Sequence, residues 1–112
     1  MVLFIYISNR TETVRPILHK MLENDIHGAT IVDCEGMLHS LCDDSIEPPP
    51  MFSSLRKFLN PDNEPGKMLF AVMEEEKVPV ARDTIHEVCG NLDAPNSGIM
   101  FTVPVSNVEG VH

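Results

Sequence analysis

The chain has 112 residues, enough for one hydrophobic core and too few for two. Its formal net charge of −9, from 17 acidic against 8 basic side chains, argues against DNA or RNA as a partner, because nucleic-acid affinity rests on cationic neutralisation of phosphates. No apolar run reaches the roughly 20 residues of a membrane-spanning helix, so direct membrane insertion is not expected. The apolar opening Met1 to Ile7 has neither the basic leader nor the small-residue cleavage site of a signal peptide. The expectation is a cytoplasmic protein. Its three cysteines, Cys34, Cys42 and Cys89, are odd in number and lack CxxC spacing, which suits reduced thiols.

Val2 to Ser8 is β-branched and aromatic and reads as a strand buried on both faces. From Thr13 onward, Val14, Ile17, Leu18, Met21 and Leu22 recur at i, i+3, i+4, i+7 and i+8. That spacing predicts an amphipathic helix ending near Asn24, with Pro16 accommodated in its first turn and Gly28 as the breaker. A second strand is expected from about Ala29 to Cys34, where Thr30, Ile31 and Val32 carry the β preference.

Residues 37 to 66 change character. Asp43-Asp44, Pro48-Pro49-Pro50 and the cluster Asn60 to Gly66 are turn chemistry. Within them Met51, Phe52, Leu55, Phe58 and Leu59 repeat at helical spacing around Arg56 and Lys57, predicting a short amphipathic helix after the prolines. Its apolar face suits a groove on a partner protein. Lys67 to Met73 is a third strand, and Glu74-Glu75-Glu76 marks its solvated end. A second helix is predicted from about Pro79 to Cys89, with Val78, Ala81, Ile85, Val88 and Cys89 inward and Arg82, Asp83, His86 and Glu87 outward. Gly90 stops it, residues 91 to 98 form a loop, and Ile99 to Val105 is the last strand.

Two strand-helix-strand units in tandem, each with a right-handed crossover, predict an α+β fold. The expectation is a ferredoxin-like βαββαβ sandwich: one domain over 1–112, a four-stranded antiparallel sheet, two helices on one face, and a long loop between the second and third strands. The other sheet face then has no helix over it. Phe4, Tyr6, Phe70 and Val72 are expected there, on an apolar surface that self-association would cover.

The run Ile26-His27-Gly28-Ala29-Thr30-Ile31-Val32 with the later Gly36, and the run Gly98-Ile99-Met100-Phe101-Thr102-Val103-Pro104-Val105, resemble the P-II nitrogen-regulatory signalling proteins. The resemblance covers most of the chain apart from Leu38 to Pro65. It implies a non-catalytic trimer that binds a small ligand, such as a nucleotide, in clefts between subunits and contacts a target transporter or enzyme through the protruding loop of about 37–66. By position it implies ligand contacts at Thr30, Gly36, Met37, Val72, Asn96, Ser97, Gly98 and Ile99; the partner contacts expected in the loop are those of its amphipathic stretch, Met51, Phe52, Leu55, Arg56, Lys57 and Phe58. An adenine nucleotide is the cofactor the resemblance suggests, weakened by three departures. The lysine after the last-loop glycine is Ile99 here, the arginine and glutamine after the strand-two glycines are His39 and Ser40, and the basic tail is replaced by Asn107 to His112. The Met51 to Leu59 face could equally fold back and plug the cleft between subunits.

Other chemistries are weaker. Cys34, His39 and Cys42 lie close enough in sequence to share a metal, as in the similarly folded, trimeric CutA proteins, although no CxxC or HxxxH pair occurs. A purely protein-binding subunit is a further alternative. No local nucleophile-base signature, GxxxxGK[ST] or GxGxxG is present, so no enzyme activity is assigned.

Overall fold

Val2–Ser8 forms β1, and every second residue along it is buried. The structure, a computed structural model, describes residues 1–37, 66–93 and 97–111. After β1 come a 3-10 turn at Thr11–Thr13, helix α1 (Val14–Glu23), β2 (Thr30–Cys34), β3 (Gly66–Met73), a second 3-10 turn at Glu75–Lys77, helix α2 (Val78–Cys89) and β4 (Ile99–Pro104). The sheet order is β2-β3-β1-β4 and every neighbouring pair is antiparallel. This is the expected ferredoxin-like arrangement. The excursion beyond Met37, including the expected helix Met51 to Leu59, lies outside the described residues up to Gly66, as does 94–96 of the last loop.

Both helices pack on one sheet face. Ile17 and Met21 of α1 and Ala81 and Ile85 of α2 close over Phe4, Tyr6, Leu69 and Ala71 in a single apolar cluster. Each large side chain sealed there contributes about 1.5–3 kcal/mol through removal from water. Two expectations about β1 are corrected. Phe4 and Tyr6 face the helices, with exposures of 1% and 0%, and do not lie on the bare face. The strand is also sealed on one side only, because Leu3, Ile5 and Ile7 are half-buried. Phe70 and Val72 do lie on the bare face, since Phe70 pairs with Ile5 and Val72 with Leu3.

A third correction concerns the end of α1. Gly28 plays no part in it: the reversal is made at Asp25, whose φ is 63°. Ile26 N–H donates to the Met21 carbonyl at 2.8 Å and Asp25 N–H donates to the Leu22 carbonyl at 3.1 Å, the paired bonds of a Schellman cap. Ile26 and Met21 are both buried, which supplies the apolar contact that accompanies such a cap. Leu22, placed on the inner stripe from its spacing, is 62% exposed because α1 turns it past the edge of the core.

Tyr6 ties the core to both helical ends. The Thr13 hydroxyl donates to the Arg10 carbonyl at 2.6 Å, so its oxygen is left to accept the Tyr6 hydroxyl proton at 3.1 Å. The Cys89 sulfur, at the last residue of α2, lies 3.2 Å from the same tyrosine oxygen. Burial pushes the Tyr6 phenol pKa up. Replacing Tyr6→Phe removes these bonds while keeping the ring, and a urea melt is expected to show a loss of about 1 kcal/mol. An unchanged midpoint would mean that the hydroxyl network contributes nothing.

Candidate functional site

The pairing registers define what the helix-free face carries. Three rows cross the sheet there: Val32-Met68-Ile7-Ile99, Thr30-Phe70-Ile5-Phe101, and Val72-Leu3-Val103. Thr30 is the one polar side chain among them. Val32, Ile99, Phe101 and Val103 are each 40% or more exposed. Among the described residues this is a contiguous apolar sheet surface, of the kind found at interaction sites.

Thr30 and Val72 flank a hollow of about 600 Å³ at the start of β2, together with His27, Phe70, Lys77 and Val111. The Asp25 carboxylate lies 3.6 Å from the His27 ring, and the Lys77 ammonium donates to the Asn24 carbonyl at 3.3 Å. Because β2 begins opposite Phe70, the stretch Ala71 to Met73 of β3 runs past it with no neighbouring strand on that side among the described residues. Ala71, Val72 and Met73 all line the hollow.

Gly98 and Ile99 sit on the far edge of the sheet. Gly98 has φ of 108°, and a Cβ on it would lie 2.8 Å from the Ile7 carbonyl oxygen. That glycine is demanded by backbone approach alone. Ser97 beside it is buried, whereas Ile99 is 55% exposed and presents an apolar side chain to the bare face. A second hollow of about 590 Å³ lies between β4 and α2, with Gly98 and Ile99 at one end and Arg82 and His86 on the helix wall. Arg82 and His86 were assigned by periodicity only to the outer side of α2. Their spacing with Val78, at i, i+4 and i+8, was the available signal of a shared stripe.

The candidate residues are therefore divided. Thr30 and Val72 are on the β2–β3 side, and Gly98 and Ile99 on β4, with β1 and β3 between the two edge strands. Three strand spacings separate those edges by about 14 Å. Gly36 follows β2 at the end of the sheet where β1 finishes, a Cβ there would touch nothing within 4 Å, and Met37 is 74% exposed. Asn96 lies outside the described residues.

Of the candidate metal ligands, His39 and Cys42 lie outside the described residues. Cys34 is half-buried between Gly66 and the ion pair of Asp33 with Lys67. Burial raises its thiol pKa, the Asp33 charge raises it further, and Lys67 opposes both. The shift disfavours the thiolate, the form that attacks and ligates. Among the described residues no three His, Cys, Asp or Glu side chains gather as a metal cluster.

Neither a family model nor a curated protein matches this sequence. Among solved structures, the P-II protein of Arabidopsis thaliana bound to citrate is similar, with a TM-score of 0.66 over 98% of this chain and 79% of that one, at 18% identity. The chain thus has a P-II-like fold. No helix among the described residues is long and apolar enough to cross a membrane.

Two outcomes follow from this geometry. Gly98→Ala is expected to lower stability by about 1–3 kcal/mol in a denaturant melt, from φ strain and the clash with Ile7. Alkylation of Cys34 by iodoacetamide, followed by peptide mass spectrometry over a pH series, should show a midpoint above that of a free cysteine peptide. A midpoint below it would mean an activated thiol.

Proposed function

We propose that this chain is a non-enzymatic P-II-like regulator, one domain over its 112 residues, that assembles as a homotrimer in the cytoplasm. It binds a small anion where two copies meet and signals to a target protein through residues 37–66. The observation that carries this reading is the coincidence of an uncovered apolar sheet face with candidate residues split between opposite sheet edges. Sister copies that cover the face also bring the β4 edge of one chain to the β2 side of the next. Thr30, Gly36, Met37 and Val72 of one copy then border a cleft with Asn96, Ser97, Gly98 and Ile99 of its neighbour.

Charge favours a small carboxylate over a nucleotide triphosphate in that cleft. Ile99 stands, exposed and apolar, where the resembling proteins carry a lysine. Each missing charge-assisted phosphate bond costs about 1.5–3 kcal/mol. The structurally similar Arabidopsis protein was solved with citrate, a small polycarboxylate. Partner contacts fall to Met51, Phe52, Leu55, Arg56, Lys57 and Phe58.

Sedimentation equilibrium tests the assembly. The wild-type chain is expected to run as a trimer, and Phe101→Asp, in the middle of the apolar face, as a folded monomer; a wild-type monomer refutes the proposal. A thermal-shift panel of citrate, bicarbonate and ATP tests the sensing. A true ligand at one hundred times its dissociation constant stabilises by about 2.7 kcal/mol, and the larger shift is expected from a carboxylate. Deleting 51–59 should abolish capture of the target while leaving the trimer intact.

A further inference from the structure

We propose that the groove between α2 and β4 is a second binding site, specific for a small monocarboxylate with an apolar body, whose carboxylate is held by Arg82 and His86. The groove shares Gly98 and Ile99 with the proposed inter-copy cleft, but the groups that would hold the carboxylate, Arg82 and His86, lie on α2 outside that cleft, so the site does not rest on it.

The groove exists because two helices cannot cover four strands evenly. On the helix side of β4, Met100 pairs with Tyr6 and Thr102 pairs with Phe4. Phe4 and Tyr6 are sealed, yet Thr102 is exposed and Met100 is only half-buried. What remains is a trough of about 590 Å³ floored by Phe4 and Met100, within the size range of small-molecule pockets. Val78, Arg82 and His86 line its helix wall as one stripe at successive turns.

The polar groups are distributed unequally around that floor. Arg82 has no ion pair or hydrogen bond among the described residues, although the chain carries 17 acidic side chains. The lysines among the described residues are engaged differently: Lys20 pairs with Glu87, Lys67 with Asp33, and Lys77 with the Asn24 carbonyl. A guanidinium with no partner among the described residues, above an apolar floor and with an imidazole one turn further on, matches a carboxylate on an otherwise greasy ligand. Its planar fork binds both carboxylate oxygens, and the imidazole adds a third donor. Asp93 also lines the trough, in the loop that follows α2. Its charge opposes a second negative group on the ligand, which selects against di- and tricarboxylates and phosphate.

The test is titration of the full chain with sodium benzoate, read by calorimetry and by amide NMR shifts. Saturable binding is expected, with shifts centred on Met100 and Thr102, and neutral benzamide should not bind. Arg82→Gln is expected to weaken benzoate about tenfold or more, the loss of a bidentate charge-assisted contact. His86→Gln should weaken it less, and Arg15→Gln, an exposed arginine on α1, should leave it unchanged. Arg82 and His86 are both exposed, so neither substitution removes core packing. Benzoate affinity indifferent to both substitutions, or no saturable binding, would overturn the site. Inorganic phosphate competing as well as benzoate would overturn its specificity for an apolar monocarboxylate. Neither result bears on the trimer, which sedimentation reads separately.

Discussion

The structure depends on a single imbalance: one four-stranded sheet, apolar on both sides, with helices enough to cover one. Ile17, Met21, Ala81 and Ile85 seal Phe4, Tyr6, Leu69 and Ala71. On the reverse side Leu3, Ile5, Ile7, Met68, Phe70, Phe101 and Val103 share three cross-sheet rows with no layer above them among the described residues. Leaving so much apolar surface in water opposes the hydrophobic term that drives folding. That surface is the one the proposed homotrimer would cover, each copy offering its neighbour a face of matching chemistry.

The imbalance also shapes the helix side. α2 leaves the helix side of edge strand β4 incompletely covered, with Met100 half-buried and Thr102 exposed, which opens the trough beside Arg82 and His86. At the other edge β2 is short and starts late, which opens the hollow beside Thr30 and Val72. Both hollows are consequences of where covering elements stop. Their electrostatics differ: the first offers a guanidinium without an ion pair among the described residues, the second a lysine engaged with the Asn24 carbonyl and a histidine near Asp25.

Local chemistry fixes the frame around these hollows. Tyr6 anchors β1 to the turn before α1 and to the last residue of α2. Asp25 reverses the chain after α1 with a Schellman pair. Gly98 passes so close to the Ile7 carbonyl that no side chain fits. The position at which the resemblance implied a ligand contact is therefore also one where the main chain alone requires glycine. Such a residue gives no evidence of binding by its identity.

Much was legible in the sequence because two periods dominate it. The 3.6-residue spacing of Val14, Ile17 and Met21, and of Ala81 and Ile85, gave both helices and their inner stripes, and the tandem strand-helix-strand order gave the sheet. Strand orientation was not legible in β1, since Val2, Phe4, Tyr6 on one side and Leu3, Ile5, Ile7 on the other are equally apolar. Only the tertiary structure chose, by giving the Tyr6 hydroxyl its partners on the helix side; a buried tyrosine's need for a hydrogen bond was the one hint available. The reversal at Asp25, the separation of Thr30 from Gly98 across the sheet, and the trough beneath Arg82 were likewise settled by contacts between distant segments. A one-dimensional pattern records which residues share a face, whereas which face is covered, and how far, depends on the finite width of the elements laid upon it.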